Sequence, residues 1–225
     1  MVDQPPPAPE RMVPLLLLVS ATTGLVDAVS VLGLGRVFTA NMTGNIVFLG
    51  FALAGTPGYS WLLCGVALLS FLVGAGAGGR LSRKLESVSR RRWLLAAASI
   101  EASLLLGAAA VAGFGLALLD PILVMIAMTG CAMGVRNATA RSLRVPDLTT
   151  TVLTLTITGI AADSRFAGGT GPNLLRRLSA VSSILVGAFV GALMVKLWNL
   201  AVPLTVAGVV IMGATVMLAS DEGSR

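Results

Sequence analysis

Three ionisable side chains, Asp27, Glu101 and Arg136, stand inside long apolar runs. Charge in such a setting is costly, so each marks a candidate working position. Counted along a helix, Glu101 lies about 13 Å beyond Arg92 and Asp27 about 21 Å beyond Val13. Glu101 is therefore central and a candidate proton-binding carboxylate. Asp27 lies toward the outer end of its run, placed to line a vestibule or cap a neighbouring segment. Arg136 comes late in a run heading inward, where it can snorkel to headgroups or gate a pathway. Two neutral polar stretches accompany them. One is Phe38-Thr39-Ala40-Asn41-Met42-Thr43-Gly44-Asn45, and the other, half a chain later, holds Thr149, Thr151 and Thr154. Hydroxyls and amides donate and accept without carrying charge, so such a lining can replace part of a small solute's hydration shell. Thr and Asn also cap helix starts, and a helix start inside a membrane favours anions. The competing role is glue between helices, worth roughly 1 kcal/mol or less per contact.

The same inventory excludes other chemistry. The chain has no histidine, so His-ligated zinc, His proton relays and Ser-His or Cys-His catalysis are ruled out. Cys64 and Cys131 each sit alone in an apolar run and read as small packed hydrophobes rather than a disulfide or metal pair. No enzyme activity, cofactor or metal is expected.

The elements that must position these groups follow from composition. Of 225 residues, 56% are hydrophobic and 12% charged, against about a quarter charged in soluble domains. Several runs approach the roughly 20 apolar residues that cross a bilayer core. They do not alternate as barrel strands do. The expected fold is an all-α integral membrane protein, a polytopic helical bundle. The net charge of +6 comes mostly from basic residues flanking apolar runs. There they orient the chain and meet anionic headgroups, and no nucleic-acid partner is implied.

Residues 1–11, with Pro5-Pro6-Pro7 and Pro9, read as a disordered tail, and 220–225 as a polar tail. Between them lie two related halves, 12–115 and 116–219. Gly24, Asp27, Ala28, Phe38 and Thr39 fall on Gly134, Asn137, Ala138, Leu148 and Thr149 at an offset of 110. At an offset of 113, the nine residues from Ser70 to Gly78 fall on Ser183 to Gly191, with six identical. Asn137 thereby joins the candidate site as the counterpart of Asp27.

Each half has four apolar segments. If the second of each is re-entrant, six segments cross and the halves form inverted repeats of three spans plus one re-entrant or broken helix. If all cross, there are eight spans and parallel repeats. Six spans with both termini in the cytoplasm leave every basic residue inside except Arg36 and Lys196. Eight spans leave Arg11, Arg165, Arg176, Arg177 and Arg225 outside, a weaker positive-inside bias. Length agrees with six: Leu148 to Ala162 makes about 22 Å of helix against a core of about 30 Å.

Gly24-Leu25-Val26-Asp27-Ala28 followed by Phe38 to Asn45 resembles the signature of the YoaK-like bacterial membrane proteins, the domain-of-unknown-function family 1275. Gly134-Val135-Arg136-Asn137-Ala138 followed by Leu148-Thr149-Thr150-Thr151 is similar to the same family, in which Gln-Asn-Ala is common. Arg136 departs from that Gln, so the resemblance assigns it no role. The resemblance covers nearly all of the chain after Arg11. It implies a bacterial inner-membrane protein and supplies no substrate.

The expected function is a small-solute or ion transporter or channel. Its central site would lie between the halves: Thr39, Asn41, Thr43 and Asn45 facing Thr149, Thr151 and Thr154, with Asp27, Glu101 and Arg136 as proton or gating groups. The partner would be an unknown small polar solute or ion. The alternative is a non-transporting scaffold or assembly protein. For it, Gly74, Gly78, Gly187 and Gly191 offer close-packing surfaces, and the basic inner face could recruit anionic lipid or a partner; a homo-oligomer is a further expected partner.

Overall fold

The computed structural model describes residues 12–85, 88–115, 120–143, 153–171 and 173–221. The proline-rich tail and the expected contributions of Thr149 and Thr151 lie outside those residues. Eight α-helices and no strand occur among the described residues: α1 Met12–Gly33, α2 Met42–Leu53, α3 Trp61–Leu85, α4 Arg90–Phe114, α5 Pro121–Leu143, α6 Leu153–Ala162, α7 Leu174–Leu197 and α8 Ala201–Asp221. In lipid, a spanning segment must satisfy its own backbone groups, and apolar runs of this length do so as helices.

Local signals set the helix ends. Ser89 accepts the Arg92 N–H at 3.3 Å to open α4, and Gly115 closes it in the left-handed conformation at φ 55°. Asp120 accepts from Ile122 at 2.9 Å ahead of Pro121, which occupies the first helical position, where a missing N–H costs nothing. Asn199 does the same for Ala201 at 2.9 Å before α8.

Four helices, α3, α4, α5 and α7, are long and apolar enough to cross a membrane. Apolar stretches of shorter length lie in α1 (Leu17–Gly33) and α8 (Ala201–Met217). The helices α2 and α6, with 12 and 10 residues, reach only about 18 and 15 Å.

Packing crosses the midpoint of the chain. α1 runs along α7, α3 along α5, and α4 lies against both α5 and α8. α2 rests on α3 and α6 on α7. Glycine makes the two long crossings tight. A Cβ at Gly74 would overlap the Cys131 carbonyl of α5, and one at Gly187 would overlap the Ala21 carbonyl of α1. Gly78 meets Val135 and Ala138, while Gly191 meets Leu25 and Ala28. From the other side, Gly134 abuts the Phe71 carbonyl and Gly24 the Ile184 carbonyl. Without lipid exclusion to drive association, close backbone approach supplies the packing energy, and only small residues allow it.

This corrects one expectation. Gly74, Gly78, Gly187 and Gly191 are not free faces for a partner or a second copy; they are consumed inside the chain. On the opposite side, Leu72 and Val73 of α3 and Leu185 and Val186 of α7 are exposed. Bulky apolar side chains there suit acyl chains. The interior is filled by Val26 and Val29 of α1, Leu105 of α4, Ile126 and Met133 of α5, and Leu204 and Ile211 of α8.

Candidate functional site

The polar stretch after α1 is held in place by its own amides. Gly35 at φ 83° and Arg36 at φ 60° turn the chain back after α1. The Asn45 side chain then closes the loop: its Oδ1 accepts the Phe38 N–H at 2.8 Å and its Nδ2 donates to the Phe38 carbonyl at 2.5 Å. Asn45 is wholly buried, and these two bonds occupy both ends of its amide. The Phe38 ring lies over Gly44, where a Cβ would come within 2.7 Å of it. It also stacks on Phe48 at 5.7 Å between centroids. Asn41 caps α2, accepting from the Gly44 N–H at 3.4 Å. Asp27 reaches across from α1 and accepts the Ala40 N–H at 3.3 Å.

The four predicted residues of this stretch therefore divide. Asn45 is a brace, and Thr39 is wholly buried with no hydrogen-bond partner for its Oγ1. Asn41 and Thr43 instead face a cavity of about 540 Å³. Its walls come from α1, α2, α3, α6 and α7, with Asp27, Phe71 and Thr154 among the contributors. The structure thus brings Asn41 and Thr43 of the first polar stretch together with Thr154 of the second, beside Asp27. The α2 start faces the same space. Its first N–H groups, at Met42 and Thr43, have no carbonyl four residues back within the helix.

Asn137 is not part of this wall. It is buried, and its Nδ2 donates to the Met133 carbonyl of its own helix at 2.8 Å.

Arg136 differs most from expectation. It does not snorkel toward the headgroups but turns inward and is 5% exposed. Its Nε donates to Glu101 Oε1 on α4 at 2.5 Å. Its Nη1 donates to Thr23 Oγ1 at 2.7 Å and to the Val19 carbonyl at 3.3 Å, both on α1. Burial explains the difference: a desolvated guanidinium needs a counter-charge, and Glu101 supplies it within reach. Thr23 lines the cavity. A continuous polar path thus runs from Glu101 through Arg136 and Thr23 to the cavity wall.

The sequence reading missed this pair and the aromatic walls, Phe48 and Phe71. Counting depth from one membrane face finds the pair. Glu101 lies eleven residues past the α4 start at Arg90, and Arg136 seven before the α5 end at Leu143. The difference is about 6 Å of rise, which two long side chains span.

A second cavity, of about 440 Å³, opens where α6 leads into α7, with Arg165, Ser164 and Thr170 in its wall. Arg177 borders it and pairs with Asp163 at 2.6 Å.

A family described as a protein of unknown function, DUF1275, matches residues 15–217. The UPF0700 transmembrane protein YoaK of Bacillus subtilis (strain 168) is 32% identical over 149 residues, covering 66% of this chain and 65% of that protein. The match therefore spans just under two thirds of the relative's length. No solved structure matches the chain.

Proposed function

The chain belongs to the DUF1275 family of proteins of unknown function, and from that premise we propose that this multi-pass membrane protein is a small-solute or ion transporter or channel. The cavity between α2 and α6 is its site. One observation carries the reading: Asn41 and Thr43 from one half and Thr154 from the other line a single space. Polar groups at membrane depth are tolerated where they line a wet cavity, and transporters place such sites between repeats on interrupted helices.

The architecture that goes with this reading has six spans, α1, α3, α4, α5, α7 and α8, with α2 and α6 re-entrant. The glycine crossings support inverted repeats. Gly74 on Cys131 and Gly187 on Ala21 are one crossing made twice, since the four residues correspond under the sequence offsets. The positive-inside bias supports an orientation with both termini and the basic loops on the cytoplasmic side, in a bacterial inner membrane on this reading. There Arg165 and its neighbours meet anionic headgroups. The scaffold alternative loses its glycine faces, which are already occupied within the chain, and keeps only the basic inner face.

The test is side-resolved cysteine chemistry. Thr43→Cys and Thr154→Cys would each be placed in a Cys64→Ala, Cys131→Ala background in oriented proteoliposomes. A membrane-impermeant maleimide would be added to one face at a time. A pathway through the cavity predicts that each cysteine reacts from both faces. Protection of both from either face would sink the transport reading and leave the scaffold.

A further inference from the structure

Resting on the transport reading, we infer that the cavity selects for one positive charge, carried by a small organic cation of the alkylammonium class held against Asp27.

The charge balance near the cavity sets the sign. Arg136, whose charge also reaches Asp27, is committed to Glu101 at 2.5 Å. Among the described residues of the cavity wall, Asp27 is then the one ionisable side chain. The start of α2 opposes it with only about half a positive charge, and Asn41 already caps one of its N–H groups. The described lining holds one carboxylate and no cationic side chain, and a buried negative charge needs a cationic partner. Asp27 has the capacity. A carboxylate offers about four acceptor sites, and the loop amides of Ala40 and Thr39 use two of them.

The walls set the class. Phe48, Phe71, Met42, Val47 and Ile184 surround the polar groups. A metal ion would need about six oxygens to replace its water shell, and of the six side-chain oxygens on this wall those of Thr23 and Asn41 and one of Asp27 already accept hydrogen bonds. An alkylammonium gives up its hydration more readily, and aromatic side chains attract it when it lies over a ring face. A volume of about 540 Å³ also exceeds what a bare ion fills.

The experiment uses the full chain in nanodiscs of uncharged lipid, with Thr43→Cys in the cysteine-free background as reporter. Tetramethylammonium and methylammonium are the probes, and acetate is the anionic control. The expected result is saturable slowing of Thr43→Cys alkylation by the ammonium probes and none by acetate. Adding Asp27→Asn, which keeps an oxygen for the Ala40 N–H, should weaken the ammonium effect at least about tenfold. Adding Phe48→Leu should weaken it about threefold. Protection by acetate would overturn the inference and move selectivity to the α2 start. Equal ammonium protection with Asp27→Asn would overturn it as well. If no ammonium protects while both cysteines still react from both faces, the cation is wrong and the pathway stands. If neither cysteine reacts from either face, both readings fall.

Discussion

Arg136 of α5 ties together two other helices through a single guanidinium. It meets Glu101 of α4 at 2.5 Å and Thr23 of α1 at 2.7 Å. Three helices from both halves of the chain are therefore linked at one buried point, and Thr23 carries that link to the cavity wall. Neither charge would be tolerable alone at this depth. Together they let α1, α4 and α5 share one polar contact without exposing charge to lipid.

Breaking that pair from one side should be costly. Glu101→Ala and Arg136→Ala are each expected to destabilise the protein by about 3–5 kcal/mol, because each strands an unpaired buried charge. Glu101→Gln with Arg136→Gln removes both charges and should recover most of the loss. Thermal unfolding of the purified protein in one detergent compares the three. A double variant as unstable as either single one would refute the account.

The glycine crossings predict a position-specific intolerance. Gly74→Ala and Gly187→Ala drive a methyl into a backbone carbonyl, at Cys131 and Ala21 respectively. Each should cost at least about 1–3 kcal/mol, since backbone cannot rotate away as a side chain can. Gly50 and Gly213 have nothing within 4 Å of an added Cβ, so alanine there should leave folded yield unchanged. Size-exclusion recovery of the four variants reads the contrast. Wild-type recovery of Gly74→Ala would count against the tight crossing.

The two asparagines of the polar stretch should behave differently. Asn45→Ala leaves the Phe38 N–H and carbonyl unpaired and should cost about 1–3 kcal/mol for each group that stays buried. Asn41→Ala loses only a helix cap, worth about 1 kcal/mol. Hydrogen exchange at the Phe38 amide should accelerate strongly in the first and little in the second. Similar exchange in both would contradict the brace.

Sidedness separates six spans from eight. Thr56 and Thr170 are both exposed loop residues. In the six-span architecture, Thr56→Cys labels from outside and Thr170→Cys from inside. Eight spans reverse both. Impermeant labelling of intact cells against inverted vesicles decides between them, and the reversed pattern would replace re-entrant α2 and α6 with crossing helices.

Much of this protein was legible before any fold was known. Apolar content and run length are local properties, and lipid accepts such runs as helices because only then are backbone groups satisfied. The chain therefore declared a helical membrane protein, the place of α2 and α6 within it, and the polar residues worth attention. The matched stretches around Gly74 and Gly187 were visible as well. Tertiary structure decided what those residues face. In a membrane, lipid-facing and helix-facing surfaces are both apolar, so hydropathy does not tell Leu72, which is exposed, from Gly74, which is pressed onto Cys131. The partners of charged groups are equally non-local. Nothing near Arg136 in sequence names Glu101, thirty-five residues away, and nothing near Asn45 says that its amide turns back on Phe38 while Thr43 faces the cavity. Those choices arise where helices from the two halves interleave: burial favours a hydrogen-bond partner for each polar group, and only the packed arrangement determines which one is within reach.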